Sequence, residues 1–381
     1  MRIVVSGMIA ADPNQGGATW AVLQYLLGFQ RLGHEVLFIE QCPVSSLVPE
    51  SASLESSRNA SYFQQVMTEH GFEQRSALLL AETQETVGLE YSSLVELAGG
   101  ADLLVNISGI LTDERLVPRI PVRVYLDLDP AFNQFWQVSG IDMRFGGHTH
   151  FVSVGQAIGS PDCPIPTCGF DWIPTVPPVV LDQWPRRTEI AHDALTTVGN
   201  WRAYGSIEHD GVNYGQKVHS LRELMTLPTR TDTRFLLALT IHPDETRDLE
   251  ALRENGWELV DAAQVAGTPS NYRSFLSGSR AELGITKSGY VLSRSGWFSD
   301  RSTCYLAAGR PVIAQETGFS RFLPVGEGLF SFETEDDALV AIGELESDYD
   351  RHSEAARALA EEHFDSDAVL TRLLGRMGLG S

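Results

Sequence analysis

Residues 2–40 read RIVVSGMIAADPNQGGATWAVLQYLLGFQRLGHEVLFIE, and the order of patterns within them decides the fold. Residues 2–7 are a short β-branched run. A loop with Gly16 and Gly17 follows, and then Trp20, Val22, Leu23, Leu26, Leu27 and Phe29 recur at helical spacing through residues 19–32. Gly33 stops that helix, and residues 35–40 (EVLFIE) form the next buried run. Strand, loop, helix and strand in this order open a doubly wound parallel sheet. Apolar runs at residues 77–80, 103–107 and 123–128 extend it, so the first part of the chain reads as α/β.

Residues 163–185 (CPIPTCGFDWIPTVPPVVLDQWP) hold prolines too densely for a helix or a central strand and read as a linker. Beyond it the alternation restarts. Strands are expected at 196–200, 234–241, 257–260 and 311–315, with a further run at 282–290. Helices are expected near 215–225, 244–255, 300–308, 336–346 and 350–363. The expectation is two Rossmann-like domains, residues 1–185 and 186–381, facing each other across a cleft, with the last helix packing back on the first domain. Ligands of such chains sit at the carboxyl ends of the strands.

At 381 residues and 41.9 kDa the chain is long enough for two such units. Hydrophobic residues at 43% and charged residues at 20% exclude a disordered or fibrous protein. The 28 Lys and Arg against 50 Asp and Glu leave a net charge of −22, which predicts no nucleic-acid partner and a locally held anionic ligand. Four cysteines, Cys42, Cys163, Cys168 and Cys304, are too few for a disulfide scaffold and lack paired CxxC spacing, which fits a reducing cytoplasm. No apolar stretch nears the ~20 residues of a membrane span, so no integral membrane segment is expected.

Two segments carry candidate chemistry. Residues 12–19 (DPNQGGAT) join the first strand to the first helix. Gly16 and Gly17 allow close backbone approach, and the helix start offers unpaired N–H groups to an oxyanion or a sugar hydroxyl. Residues 293–313 (SRSGWFSDRSTCYLAAGRPVI) read as loop, helix, turn and strand, with Ser299 or Asp300 as cap and Gly309 at the helix end. The spacing of helix, Ala-x-Gly-x-Pro-Val and strand resembles the donor site of GT-B fold glycosyltransferases. Those proteins also tend to open with a strand, a Gly-Gly loop and a helix ending in Leu-Gly-His-Glu-Val, here Leu32 to Val36.

The resemblance implies a GT-B arrangement, with a nucleotide-sugar donor held mostly by the second domain and a small-molecule acceptor mostly by the first. It implies a metal-independent, hexosyltransferase-like enzyme with no cofactor beyond the nucleotide sugar. Many members have a ribose-binding Glu five residues before the Gly of the motif. Cys304 stands there in this chain, Gly296 replaces the earlier Glu of the Glu-x7-Glu pattern, and Asp300, one helical turn before Cys304, is the alternative ribose acceptor.

Lys217, Lys287, Arg294 and Arg301 are candidate diphosphate cations, joined in donor binding by Gly16, Gly17, Ser295, Gly296, Ser299 and Asp300. The run VYLDLDPAF (124–132) brings Asp127 and Asp129 to a strand end, and with Asp12 these are the candidate bases of an inverting transfer, Asp129 preferred. A retaining transfer needs no conventional base. His148 and His150 lack a third ligand and predict no metal site, and Cys163 and Cys168 read as packing residues. The rival readings are a nucleotide-sugar 2-epimerase of the same fold and a catalytically silent nucleotide-binding protein.

Overall fold

The computed structural model describes residues 1–380. The first sheet contains β1 (Arg2–Ser6), β2 (Glu35–Cys42), β3 (Ser76–Leu80), β4 (Thr86–Gly88), β5 (Leu103–Ile107), β6 (Val122–Asp127), β7 (His150–Ser153) and β8 (Trp172–Pro174). Their spatial order is β4-β3-β2-β1-β5-β6-β7-β8, parallel throughout except for β4 at one edge. The second unit adds β9 (His192–Asn200), the antiparallel hairpin β10 (Ile207–His209) and β11 (Val212–Tyr214), then β12 (Phe235–Thr240), β13 (Glu258–Leu259), β14 (Ser279–Gly284), β15 (Val312–Gln315) and β16 (Leu329–Phe332). Its sheet is wholly parallel, in the order β13-β12-β9-β14-β15-β16.

Both sheets therefore have the doubly wound order, in which the chain steps outward one way, returns to the middle and steps outward the other way. The reversal points lie between β1 and β5 and between β9 and β14. Helices cover both faces, so the central strands are buried on both sides and read as continuous apolar runs: β5 (LLVNI) is buried at every position.

The stretch expected to be a linker contains β8, which pairs in parallel with β7. Its prolines are tolerated because β8 is an edge strand, where one row of N–H groups has no ladder partner to lose. The chain leaves the first sheet at Pro174 and enters the second at His192. The helix Ser366–Arg376 lies against the helix Gly16–Arg31 of the first unit. A Cβ on Gly28 would come within 2.5 Å of Leu370 Cδ1 and 3.2 Å of Ser366 Cβ, so the two helices pack closely at this glycine. Val179 N–H donates to the Phe364 carbonyl at 2.7 Å and Ser366 N–H to the Val179 carbonyl at 2.9 Å, tying the approach to that helix onto the connection between the sheets. No helix among the described residues is long and apolar enough to cross a membrane.

Candidate active site

A cavity of about 510 Å³ lies between the two units, at both reversal points. From the first unit, Met8 follows β1, Ser108 and Ile110 follow β5, Leu128 and Asp129 follow β6, and Ala18, Ala21 and Val22 come from the first helix. This wall is apolar apart from Ser108 and Asp129. From the second unit, Gly199 and Asn200 end β9, Ile285, Thr286 and Lys287 follow β14, Lys217 begins a helix, and Ser299, Asp300 and Arg301 form another helix start. This wall is polar and cationic.

The Lys217 side chain is buried and its ammonium donates to the Ile285 carbonyl. Burial, with the charges of Arg301 and Lys287, holds its pKa well below the ordinary lysine value against the opposing pull of Glu282. Arg301 donates through Nε to the fully buried Glu282 at 2.6 Å and through Nη1 to the Val198 carbonyl at 3.0 Å. Burial alone would weaken the guanidinium's charge, but Glu282 outweighs it. Ser299 caps the helix Asp300–Ala307 by accepting from Arg301 N–H at 3.2 Å. Burial raises the Asp300 carboxyl, with Arg301 opposing. Three cations and a capped helix start thus meet where only Glu282, Asp129 and Asp300 supply countercharge.

Asp129 crosses the cleft. Its carboxylate accepts from Lys287 Nζ at 2.8 Å, from the Tyr204 hydroxyl at 2.5 Å and from the Tyr290 hydroxyl. The ammonium sits 4.0 Å from the Tyr204 ring centre and 5.1 Å from those of Tyr290 and Phe132. Burial pushes the Asp129 carboxyl up, but Lys287 and the two hydroxyls pull it below the ordinary aspartate value. The geometry makes Asp129, expected as the base, an interdomain partner of Lys287, with its carboxylate occupied by the ammonium and the two hydroxyls.

The other expected bases lie away from the cavity. Asp127 is fully buried and accepts from Asn133 Nδ2 (2.6 Å), Gln134 Nε2 (2.8 Å), Ser153 Oγ (2.8 Å) and Asp129 N–H (3.0 Å). Burial raises it to about 6, and it organises the turn that aims Asp129. Asp12 is exposed and outside the cavity lining.

Gly16 and Gly17 are also outside the lining. A Cβ on Gly16 would come within 2.4 Å of the Thr268 carbonyl oxygen and 2.6 Å of that of Ala266, and one on Gly17 within 3.0 Å of the Tyr272 ring. Their small size serves close packing against the second unit, and Ala18 is the first residue of that helix to reach the cavity.

Of the loop before Asp300, Arg294 points elsewhere and pairs with Glu333 at 3.0 Å on the exposed surface. Ser295 and Gly296 are buried against the first unit: Ala157 N–H donates to the Ser295 carbonyl at 2.7 Å, Gln156 Nε2 to that of Gly296 at 3.3 Å. Gly296 has φ +73°, and a Cβ there would strike the Phe322 ring at 2.7 Å. Cys304 is buried one turn below Asp300, where Gln24 Nε2 approaches its sulfur at 3.6 Å, so it packs at the interdomain contact while Asp300 faces the cavity.

Lys217 and Lys287, both expected as donor cations, are joined in the site by Tyr204 and Tyr290, which the sequence analysis did not single out. Lys217 and Lys287 are the only lysines in the chain, and both line the cavity. A count of lysines would have singled them out from the 26 arginines. Tyr204 and Tyr290 follow β9 and β14, the strands on either side of the reversal point, which is the positional signal that could have found them.

No protein-family model matches the chain, and no curated protein matches it. Solved structures do. An α-glucosyltransferase in complex with UDP-glucose and DNA containing an abasic site aligns with TM-score 0.60 at 14% identity over 99% of both chains. Anabaena HepE in complex with UDP and glucose aligns with TM-score 0.61 at 11% identity over 99% of both. Sucrose-phosphate synthase from Thermosynechococcus elongatus aligns with TM-score 0.56 at 11% identity over 99% of this chain and 98% of that one. The likeness establishes the fold: two doubly wound domains of the GT-B type, shared with nucleotide-sugar glycosyltransferases.

The same comparisons overturn the expectation of a small-molecule acceptor with nucleic acid excluded, because the α-glucosyltransferase is held in several of these structures with DNA. The charge argument behind that expectation was too coarse. A net charge sets the long-range field and leaves the local surface free, and among the described residues Arg115 and Arg144 of the first unit form no ion pair with a carboxylate.

Proposed function

We propose that the chain is a glycosyltransferase that takes a hexosyl group from a UDP-sugar, with the donor diphosphate held by Lys217 and Arg301 at the start of the helix Asp300–Ala307. The observation that carries this reading is the buried Lys217 ammonium, set beside Arg301 and Lys287 at the reversal point of the second sheet. An ammonium taken out of water beside other cations gains most from an anion at hydrogen-bond distance. The UDP complexes of the similar α-glucosyltransferase and HepE support a diphosphate as that anion.

In the transfer, the bond from the anomeric carbon to the diphosphate oxygen breaks, a bond from that carbon to the acceptor hydroxyl oxygen forms, the hydroxyl proton passes to the departing diphosphate, and charge grows on the leaving UDP as the old bond breaks. Lys217, Arg301 and the helix N–H groups stabilise that charge, so the protein's own cations do the neutralising in a metal-independent reaction. Asp300 opposes a phosphate at its own position and instead accepts a ribose hydroxyl. The acceptor enters over the first-unit wall of Met8, Ser108, Ile110 and Leu128.

Calorimetric titration with UDP, followed by UDP release from UDP-glucose with an acceptor panel that begins with DNA containing an HMU base, tests the reading. Binding of UDP together with acceptor-dependent release is expected. Failure of UDP and of other nucleoside diphosphates to bind at millimolar concentration would end it.

A further inference from the structure

The loop between β1 and the first helix is held from inside by a charge that the transfer chemistry does not use. Glu40, near the end of β2, is fully buried. Its carboxylate accepts from Ala10 N–H at 2.8 and 2.9 Å through its two oxygens and from Ala11 N–H at 2.6 Å. The Ala10 carbonyl in turn accepts from Asn59 Nδ2 at 2.7 Å, so one peptide unit is gripped on both sides. Met8, two residues before Ala10, lines the cavity. The N–H groups that a loop at this place in a doubly wound sheet could offer to a ligand anion are here consumed by an internal one.

We propose that Glu40 is a positioning residue, acting through residues 9–11 to hold the Met8 wall of the cleft, and that its ionisation sets the order of that wall. A carboxylate has lone pairs for both N–H groups. A protonated carboxyl gives up part of that capacity and brings a buried O–H that needs an acceptor of its own.

The charge lies in a range where it can change. Burial raises the Glu40 carboxyl to about 7, with the backbone N–H donors opposing. The ionisable groups facing it are Cys42 on its own strand and Tyr62 on the helix Arg58–Glu69. Both are pushed up to about 12 by burial first, with the Glu40 charge contributing, so both stay neutral over this range. On the neighbouring strands β3 places Leu78 opposite Glu40, and β1 ends at Val5 and Ser6. The first helix presents Thr19, bonded to the Tyr62 hydroxyl, and the loop carries no charge before the exposed Asp12.

The link to turnover rests on the glycosyl-transfer reading, whereas the link to loop order does not. Hydrogen exchange of the segment 8–12 in the full chain, corrected for intrinsic rates and measured at about pH 8 and about pH 6, tests the latter. Protection in the unaltered protein is expected to drop about tenfold between the two. Glu40→Gln should show low protection without the pH step, and Glu40→Asp, which keeps the charge, should retain the step. In UDP-glucose turnover, the acid limb near pH 7 should vanish in Glu40→Gln while UDP affinity stays unchanged. Protection that is flat with pH in the unaltered protein, or full protection in Glu40→Gln, would overturn the proposal. If Glu40→Gln does not fold, the unaltered protein and Glu40→Asp decide the question. Absence of UDP binding would remove the transfer reading while the exchange result still judged Glu40.

Discussion

The two walls of the cleft are built from the same topology and opposite chemistry. At its reversal point the first sheet presents Met8, Ala18, Ala21, Val22 and Ile110, with the buried carboxylate of Glu40 turned inward to the backbone. The second sheet presents Lys217, Lys287, Arg301 and a capped helix start at the corresponding place. The difference teaches that doubly wound order places a binding site without choosing its ligand. Side chains at the strand ends make that choice, and here they give charge to one wall and shape to the other.

The largest test of this division is Lys217→Met. It keeps length and removes the buried charge, so UDP affinity should fall about 100-fold while thermal stability holds or rises, because a desolvated ammonium no longer has to be accommodated. Calorimetry and a melting curve on one preparation check both halves. Unchanged UDP affinity would erase the chemical contrast between the walls.

Asp127→Asn should act on the first wall alone. One amide oxygen replaces a carboxylate serving four donors, and a cost of about 2 kcal/mol in unfolding free energy is expected, with UDP affinity untouched. The pH sense is set by its raised value of about 6. Stability from the protonated form is complete below the unfolded value near 4 and is lost as pH rises through about 6, so the unaltered protein should lose that increment between those limits while the variant does not. A variant with the same profile would remove Asp127 from this account.

Asp129→Asn probes the bridge between the walls and should cost about 1–2 kcal/mol, since the pair is partly open to water. The depressed Asp129 value means that the ion pair contributes above the ordinary aspartate value and is lost as pH falls through the lower folded one, so the variant should differ most near neutrality and least in acid. Small-angle scattering should show a more open cleft. A turnover loss of about 10² or more with no change in shape would instead restore Asp129 as the base.

The smallest effect is expected from Asp300→Asn, which keeps an oxygen for capping and for a ribose hydroxyl. A several-fold weakening of UDP binding measured by calorimetry, with melting unchanged, would sharpen the assignment. A strengthening would mean that its charge repels the phosphates and that the ribose lies elsewhere.

The β/α alternation was legible because apolar periodicity is a local property of the chain, and the runs at 2–7, 35–40 and 103–107 are strands as read. The four-residue strands β7 and β16 and the hairpin β10–β11 were not read, since so few residues carry too little periodicity to stand out. Within the site, Lys217, Lys287, Ser299, Asp300 and Arg301 line the cavity, each at a helix start or strand end that the pattern itself marks. Gly16, Gly17, Ser295 and Gly296 were read as ligand loops because a glycine needed for close approach looks the same in sequence whether a phosphate or another backbone approaches it.

By itself the sequence determined two α/β halves, the order of their elements and the residues that end their strands, all properties of neighbours along the chain. Tertiary structure alone decided that Asp129 meets Lys287, 158 positions away, while Asp127, two residues earlier, turns inward. It also decided that Arg294 leaves the cleft and that Cys304 faces Gln24. The reason is physical: whether a carboxylate becomes a base, an ion-pair partner or a structural acceptor depends on its solvation and on the donors within about 3 Å, and those come from the other half of the molecule for Asp129 but from the same half for Asp127.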